Sequence, residues 1–304
     1  MTRPLKVGVQ LPEVEYVARW PEVREMARTA EEIGLDSIWL GDHLLYRGDG
    51  KPPRGPWEAW SMLAALAAVT ERVELGPLVA ATGFHNPGML AKKAATIDEI
   101  SGGRLILGLG AGWNEVEYRA YGFPFDHRVS RFEEAFTIIR RLLHEGRCDF
   151  AGAYYTLRDC ELLPRGPRPE GPPMMVGSQG ARMLAVTLPY VQSWNAWFTW
   201  FGNSVEGYLP LREQVDEACR AVGRDPSTLE RTLTLFVAFP GAQGRSLGDL
   251  TRSDVEPVSS DPDGLADALR GFAAAGVGHI QLVLDPITAE TIAALKPMLE
   301  RLDA

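Results

Sequence analysis

Asp42 and His43 are the adjacent acid and base in this chain best suited to moving a proton. They follow the short apolar run Ser37-Ile38-Trp39-Leu40-Gly41, and a histidine titrates close enough to neutrality to both give and accept a proton. The competing reading is a histidine fixed by hydrogen bonds that only shapes a cleft. A second chemical feature is the turn Gly110-Ala111-Gly112-Trp113-Asn114, which closes an apolar run over 104–109. Gly110 and Gly112 leave backbone N–H groups open to the close approach of a phosphate. Gly177-Ser178-Gln179-Gly180 has the same character and precedes a helical stretch over 181–187, whose N-terminus favours an anion. A purely structural turn uses the same glycines, so neither stretch decides the matter alone.

Other chemistries lack their residues. Cys148, Cys160 and Cys219 make no CxxC or Cys/His metal spacing and no disulfide framework, which leaves them as reduced core or edge residues. No metal site is expected. Gly-x-Ser-x-Gly is absent, and no strand end carries a lysine for Schiff-base chemistry. The formal net charge of -9 argues against nucleic acid or an anionic membrane as the main partner. No apolar run is long enough to span a bilayer, and residues 1–6 lack the apolar core of a signal peptide, so a cytoplasmic protein is expected. Lys6, Lys51, Lys92, Lys93 and Lys296 are the lysines among 31 basic residues, a bias toward arginine that points to a GC-rich genome.

Strand and helix patterns alternate along the whole chain. Apolar runs at 7–11, 37–41, 73–80, 104–109, 173–177, 190–196, 232–239 and 279–284 read as strands. Helical stripes fall between them: Val23, Met26, Ala30 and Ile33; residues 59–69; Met89, Leu90, Ala94, Ile97 and Ile100; and Phe132, Phe136, Ile139 and Leu143, opened by a capping box at Ser130 and Glu133. Further stripes are 181–187; Leu211, Val215, Ala218 and Val222; Leu265, Leu269 and Phe272; and a last helix through Leu302 bent at Pro297. About eight βα units predict one (β/α)8 barrel, a single domain over 1–304, with an open doubly wound sheet as the alternative. Two insertions are expected: a hairpin over 148–157 turning near Gly152, and a lid-like loop over 240–260.

In such a barrel the residues just past the strand ends line the site. That rule selects Gln10, Asp42, His43, the two glycine turns and the aromatic cluster Trp194, Trp197, Phe198, Trp200 and Phe201. Trp194 and Trp197, with Trp57, are candidate walls of an apolar substrate pocket, and a subunit interface is the competing use. His85 can reach the mouth, whereas His144 and His279 read as structural. Arg182 is placed either to neutralise a phosphate or to form a surface ion pair, and Arg104 reads as structural.

Three blocks resemble the luciferase-like monooxygenase superfamily, in its flavin- or deazaflavin-dependent oxidoreductase branch: residues 30–43, residues 86–113 with Ile97-Asp98-Glu99-Ile100-Ser101-Gly102-Gly103-Arg104 at their centre, and residues 171–180. The resemblance covers about the first two-thirds of the chain. It implies a barrel binding FMN or the deazaflavin coenzyme F420 in its mouth. The cofactor phosphate would lie on Gly110, Ala111, Gly112 and Asn114 and on Gly177, Ser178, Gln179 and Gly180, and a non-prolyl cis peptide near Leu78-Val79 would face the ring. It further implies that His43, with Asp42, assists proton transfer. Some sugar-phosphate dehydrogenases of the family carry a glutamate directly after the first turn. Here that position is Trp113, with Glu115 and Glu117 offset. The expectation is therefore hydride transfer between F420 and an apolar organic substrate. The alternatives are an FMN-dependent monooxygenase, a non-catalytic flavin-binding barrel, and a flavin-free aldolase or isomerase. Relatives suggest a homodimer and a separate reductase supplying reduced cofactor.

Overall fold

The computed structural model describes residues 3–245 and 255–304. The chain opens with β1 (Lys6–Gln10), α1 (Trp20–Glu32), β2 (Ser37–Leu40), α2 (Ala59–Val69), β3 (Glu74–Pro77), β4 (Ala80–Ala81), α3 (Pro87–Ser101) and β5 (Leu107–Gly110). It continues with α4 (Glu115–Tyr121), α5 (Arg128–Glu145), the hairpin β6 (Arg147–Ala151) and β7 (Thr156–Glu161), β8 (Met174–Gly177), α6 (Ala181–Thr187), β9 (Ser193–Ala196) and α7 (Val205–Ala221). The last elements are β10 (Glu230–Ala238), β11 (Val258–Ser259), α8 (Pro262–Ala274), β12 (Val277–Asp285), α9 (Ala289–Ala293) and α10 (Lys296–Asp303).

The strands lie in the order β3-β2-β1-β12-β10-β9-β8-β5-β4, all parallel. The sheet closes where β3 meets the start of the fourth barrel strand. Leu75 N–H donates to Arg104 O at 3.1 Å and Ile106 N–H donates to Leu75 O at 2.9 Å. The expected (β/α)8 barrel is therefore the architecture, with β3 and β4 sharing one stave. The non-prolyl Leu78–Val79 peptide between them is cis, as the resemblance implied. Ahead of it the stave pairs with β2, and after it Ala80 and Ala81 pair with Leu109 and Gly110.

Strands buried on both faces explain the apolar runs that marked them in the sequence. Helices are begun by local side chains. Glu58 accepts from the N–H groups of Trp60 (3.0 Å) and Ser61 (2.7 Å), Asn86 from Met89 (3.2 Å), and Asp261 from Gly264 (2.9 Å). Three expectations change. Helix α5 starts at Arg128 behind His127, not at a Ser130 capping box; Ser130 and Glu133 instead bind Arg182 across from α6. Helix α4 had no expected counterpart, because seven residues give too short a stripe to detect. The last helix is two helices, parted before Pro297. The hairpin stands where it was expected, packed on α5, where Glu134 accepts the turn's N–H groups from Ala153 (2.7 Å), Tyr154 (2.9 Å) and Tyr155 (3.0 Å). Residues 246–254 of the lid-like stretch lie outside the described residues. Among the described residues no helix is long and apolar enough to cross a membrane.

Candidate active site

The barrel mouth, at the C-terminal ends of the strands, is built around His43 in the segment after β2. Glu117, on the first turn of α4 and buried, orients it: Nδ1 lies 2.8 Å from Glu117 Oε1. The other oxygen of Glu117 accepts from the backbone N–H groups of Leu44 (2.7 Å) and Leu45 (3.2 Å), so one carboxylate fixes both the ring and the segment carrying it. A carboxylate on Nδ1 selects the Nδ1–H tautomer and leaves Nε2 toward Glu13, whose Oε1 is 3.9 Å away. Burial alone would lower the His43 pKa. The charge of Glu13, the hydrogen bond to Glu117 and the charge of Asp42 outweigh it and raise the pKa above its ordinary value.

Glu13 sits just past β1 and is the hub of a buried cluster. It accepts a very short hydrogen bond from the Tyr46 hydroxyl, one from Gln10 Nε2 at 3.0 Å and one from Arg245 Nη2 at 2.8 Å. Burial, then Glu13, pushes the Tyr46 phenol well above its usual range, so it stays a donor. Arg245 arrives from the loop after β10, lies over the Trp197 ring with its guanidinium carbon 5.5 Å from the centroid, and approaches Glu15 at 3.3 Å. Among the described residues its Nη1 and the neighbouring Gln10 Oε1 are buried without a hydrogen-bond partner. Such groups are costly to leave unmade, by roughly 1–3 kcal/mol each.

Asp42 and His43 do not form the acid–base pair that adjacency suggested. Asp42 turns away to His85 Nε2 at 2.9 Å and accepts from Ala81 N–H at 3.0 Å, tying β2 to the stave beyond the cis peptide. His85 does reach the mouth, as a partner of Asp42. Each histidine thus has its own carboxylate.

The glycine turns have close side-chain neighbours of their own. A Cβ on Gly110 would come within 2.8 Å of Val79 Cγ2, and one on Gly177 within 3.3 Å of both Val79 methyls. These two glycines therefore make room for Val79, which they seat beside the mouth with Leu78 packed on Trp39, Ile106 and Met175. Gly112 has φ 75°, and the Tyr118 hydroxyl fills the place of its Cβ while donating to Ala111 O at 2.9 Å. Asn114 bonds the Leu45 carbonyl at 2.9 Å and so belongs to the scaffold of His43. The second turn stays more open. Around Gly180 a Cβ would meet nothing closer than 4.0 Å, while Ser178 Oγ accepts from Gly180 N–H at 3.3 Å and Gln179 is half-buried. Arg182 is engaged by Glu133 and Ser130, the surface ion pair rather than the phosphate partner.

The aromatic candidates divide. Trp194 is fully buried, with its indole N–H on Ser178 O at 2.7 Å, so it is core and supports the second turn from beneath; it is not a pocket wall. Trp197 is at the mouth under Arg245. Trp57 is 52% exposed and bonds Ala18 O at 2.8 Å. With Tyr16, Val17, Met62 and Glu13 it lines a cavity of about 170 Å³ on the flank of the mouth. Trp113 lies edge-on to His43 with ring centroids 5.4 Å apart. Glu13, Tyr46 and Arg245 were missed. Glu13 lies three residues beyond Gln10 and was within reach of the strand-end rule, whereas nothing in the sequence marks Arg245. Among the described residues no group of three or more His, Cys, Asp or Glu side chains could hold a metal ion.

Comparisons with known proteins bear on this arrangement. The chain is 32% identical over 243 residues to an F420-dependent glucose-6-phosphate dehydrogenase of Amycolatopsis mediterranei, covering 77% of this chain and 69% of that one. It is 32% identical over 226 residues to the pyrimidine monooxygenase RutA of Methylorubrum extorquens, covering 70% and 58%. Among solved structures, an F420-dependent secondary alcohol dehydrogenase bound to an F420-acetone adduct superposes with a TM-score of 0.82 over 99% of both chains at 19% identity, a likeness of fold. The profile of luciferase-like monooxygenases matches residues 5–240, and the chain belongs to that family.

Proposed function

We propose that this chain is an F420-dependent oxidoreductase that moves a hydride between the deazaflavin and an uncharged, largely apolar organic substrate. The observation that carries this reading is His43 held at the mouth between Glu117 and Glu13, in a chain 32% identical to an F420-dependent dehydrogenase. The mouth suits a flat ring with polar edges. Val79 and Trp197 offer apolar surface, and the unpartnered Gln10 Oε1 and Arg245 Nη1 are an acceptor and a donor such a ring can satisfy. Ser178, Gln179 and Gly180 would hold the phosphate, while Gly110 and Gly112 act at one remove by seating Val79 and Tyr118.

When bound, the deazaflavin supplies or accepts the hydride. The protein supplies the proton. His43, kept charged to higher pH by its carboxylates, is set to release a proton to a substrate oxygen and is then recharged through Glu13. Tyr46 keeps Glu13 in position. Four carboxylates, Glu13, Glu15, Asp42 and Glu117, crowd the mouth, and Arg245 is engaged by two of them. With Trp113 beside His43, these charges oppose a sugar phosphate and favour a neutral alcohol, carbonyl or alkene. Trp197 and the Trp57 cavity are the proposed apolar walls. The likeness to a pyrimidine monooxygenase keeps FMN-dependent oxygenation as the second reading. A homodimer, and a separate reductase supplying reduced cofactor, are part of the proposal.

The test is titration of the protein with F420 and, separately, FMN, following tryptophan quenching. Micromolar or tighter F420 binding with weaker FMN binding is expected. His43→Ala should keep that affinity within about threefold while turnover falls by at least about a hundredfold. Preference for FMN would move the reading to oxygenation, and binding of neither would overturn it.

A further inference from the structure

The hairpin on α5 carries a pair of thiols that the reaction does not use. Cys148 on β6 and Cys160 on β7 are direct partners in the antiparallel register, so their side chains share a face. It is the inner face: Cys148 is buried and Cys160 half-buried, alongside Phe150 and Leu157 two register steps on. Both thiols are free. Leu162 N–H donates to Gly146 O at 2.8 Å, and the alternation of the ladder makes Cys148 and Cys160 a hydrogen-bonded pair as well. Such a pair has its Cα atoms about 5.5 Å apart, inside the range that a disulfide spans. Immediately beyond, β7 carries an extra residue against β6, and Asp159 N–H is held by Asp149 Oδ1 at 2.6 Å. The bulge adds twist next to the thiols, a freedom that lets two Cβ atoms close on each other.

We propose that Cys148 and Cys160 form a reversible cross-strand disulfide that staples the insertion hairpin under oxidising conditions. Cys160, the more accessible thiol, attacks first. Its thiolate adds to one sulfur of a small disulfide, forming a mixed disulfide and releasing one small thiolate. The Cys148 thiolate then displaces the second. The protein gives up two protons and two electrons, and the small disulfide is reduced to two thiols. Burial raises the Cys148 pKa, which suits it to the slower, intramolecular second step. The staple acts outside the barrel sheet, since β6 and β7 form a sheet of their own. It closes a short loop, so it stabilises the hairpin by limiting its unfolded states.

The experiment is incubation of the full-length protein with oxidised glutathione, followed by intact mass, peptide mapping and thermal melting. The expected product is lighter by two hydrogens, carries a Cys148–Cys160 cross-link, melts several degrees higher and reverts on reduction. Cys148→Ser should instead stop at a stable glutathione adduct on Cys160, and Cys160→Ser should react slowly or not at all. A lasting adduct on the wild-type protein, a cross-link involving Cys219, or a bridged form that melts no higher would overturn the proposal. None of these readouts depends on the cofactor, so the result stands apart from that of the F420 titration.

Discussion

Glu117 fixes where the imidazole of His43 points and, after Glu13, helps to keep it protonated. Replacing it with glutamine keeps the shape but removes the charge, so the His43 pKa should fall. In Glu117→Gln the pH at which kcat changes should move downward, kcat should drop about tenfold or more, and KM should hold within about twofold. A uniform loss at all pH values would show that Glu117 serves only the fold. His279 is the contrasting case. It is fully buried on β12 and hydrogen-bonded to Ser37 Oγ at 2.7 Å, and Ser37 in turn accepts from the Trp39 indole N–H at 2.7 Å. Trp39 takes one lone pair of the hydroxyl, which leaves its O–H free to donate to an unprotonated Nε2. Burial, with a smaller push from Lys6, lowers its pKa to about 3. The unfolded chain therefore binds a proton that the folded chain refuses, and stability is lost as pH falls from about 6.5 toward 3, by up to about 1.4 kcal/mol per unit. Urea unfolding at a series of acidic pH values should show a flatter dependence in His279→Gln than in the parent, whatever its absolute stability.

The glycine turns act at the scale of elements. Gly110→Ala would drive a methyl into Val79, with backbone on the other side, so the stave past the cis peptide must shift. F420 affinity should fall at least tenfold, as read by the same quenching titration, and an unchanged affinity would remove Val79 from the ring site. The sequence marked these turns correctly but did not show that Val79 and Tyr118 crowd Gly110, Gly177 and Gly112. Glycine spacing says that something approaches closely; it does not say whether that is a phosphate or a valine from the next strand. Trp194 was misjudged for a related reason, because a strand-end position cannot tell an indole turned into the core from one turned to the mouth. The strands themselves were legible because burial on both faces writes continuous apolar runs. Arg245 was not, because its role depends on a long-range pairing, 232 residues from Glu13, that leaves no local pattern.

For the molecule as a whole, barrel closure rests on Arg104, which was read only as structural. Its guanidinium donates to the carbonyls of Ser101 (2.7 Å), Val73 (2.7 Å), Ala67 (2.9 Å) and Thr70 (2.8 Å) and to Thr70 Oγ1 (3.0 Å). It thereby joins the end of α2 and the start of β3 to the end of α3. Removing it strands several carbonyls at the seam, so Arg104→Met should lose about 3 kcal/mol or more in denaturant unfolding. A loss under about 1 kcal/mol would mean that the seam holds without it.

The divided stave gives the barrel the mechanics of a hoop with a clasp. Seven strand junctions are ladders of several residues, while β3 touches the segment leading into β5 through the bridge at Leu75 and Leu105 and hands the rest of the pairing to β4. Thermal breathing should concentrate at that clasp, and Val79 sits on the moving half. A ring resting on Val79 would press the clasp shut and would thereby couple cofactor occupancy to the circumference of the barrel.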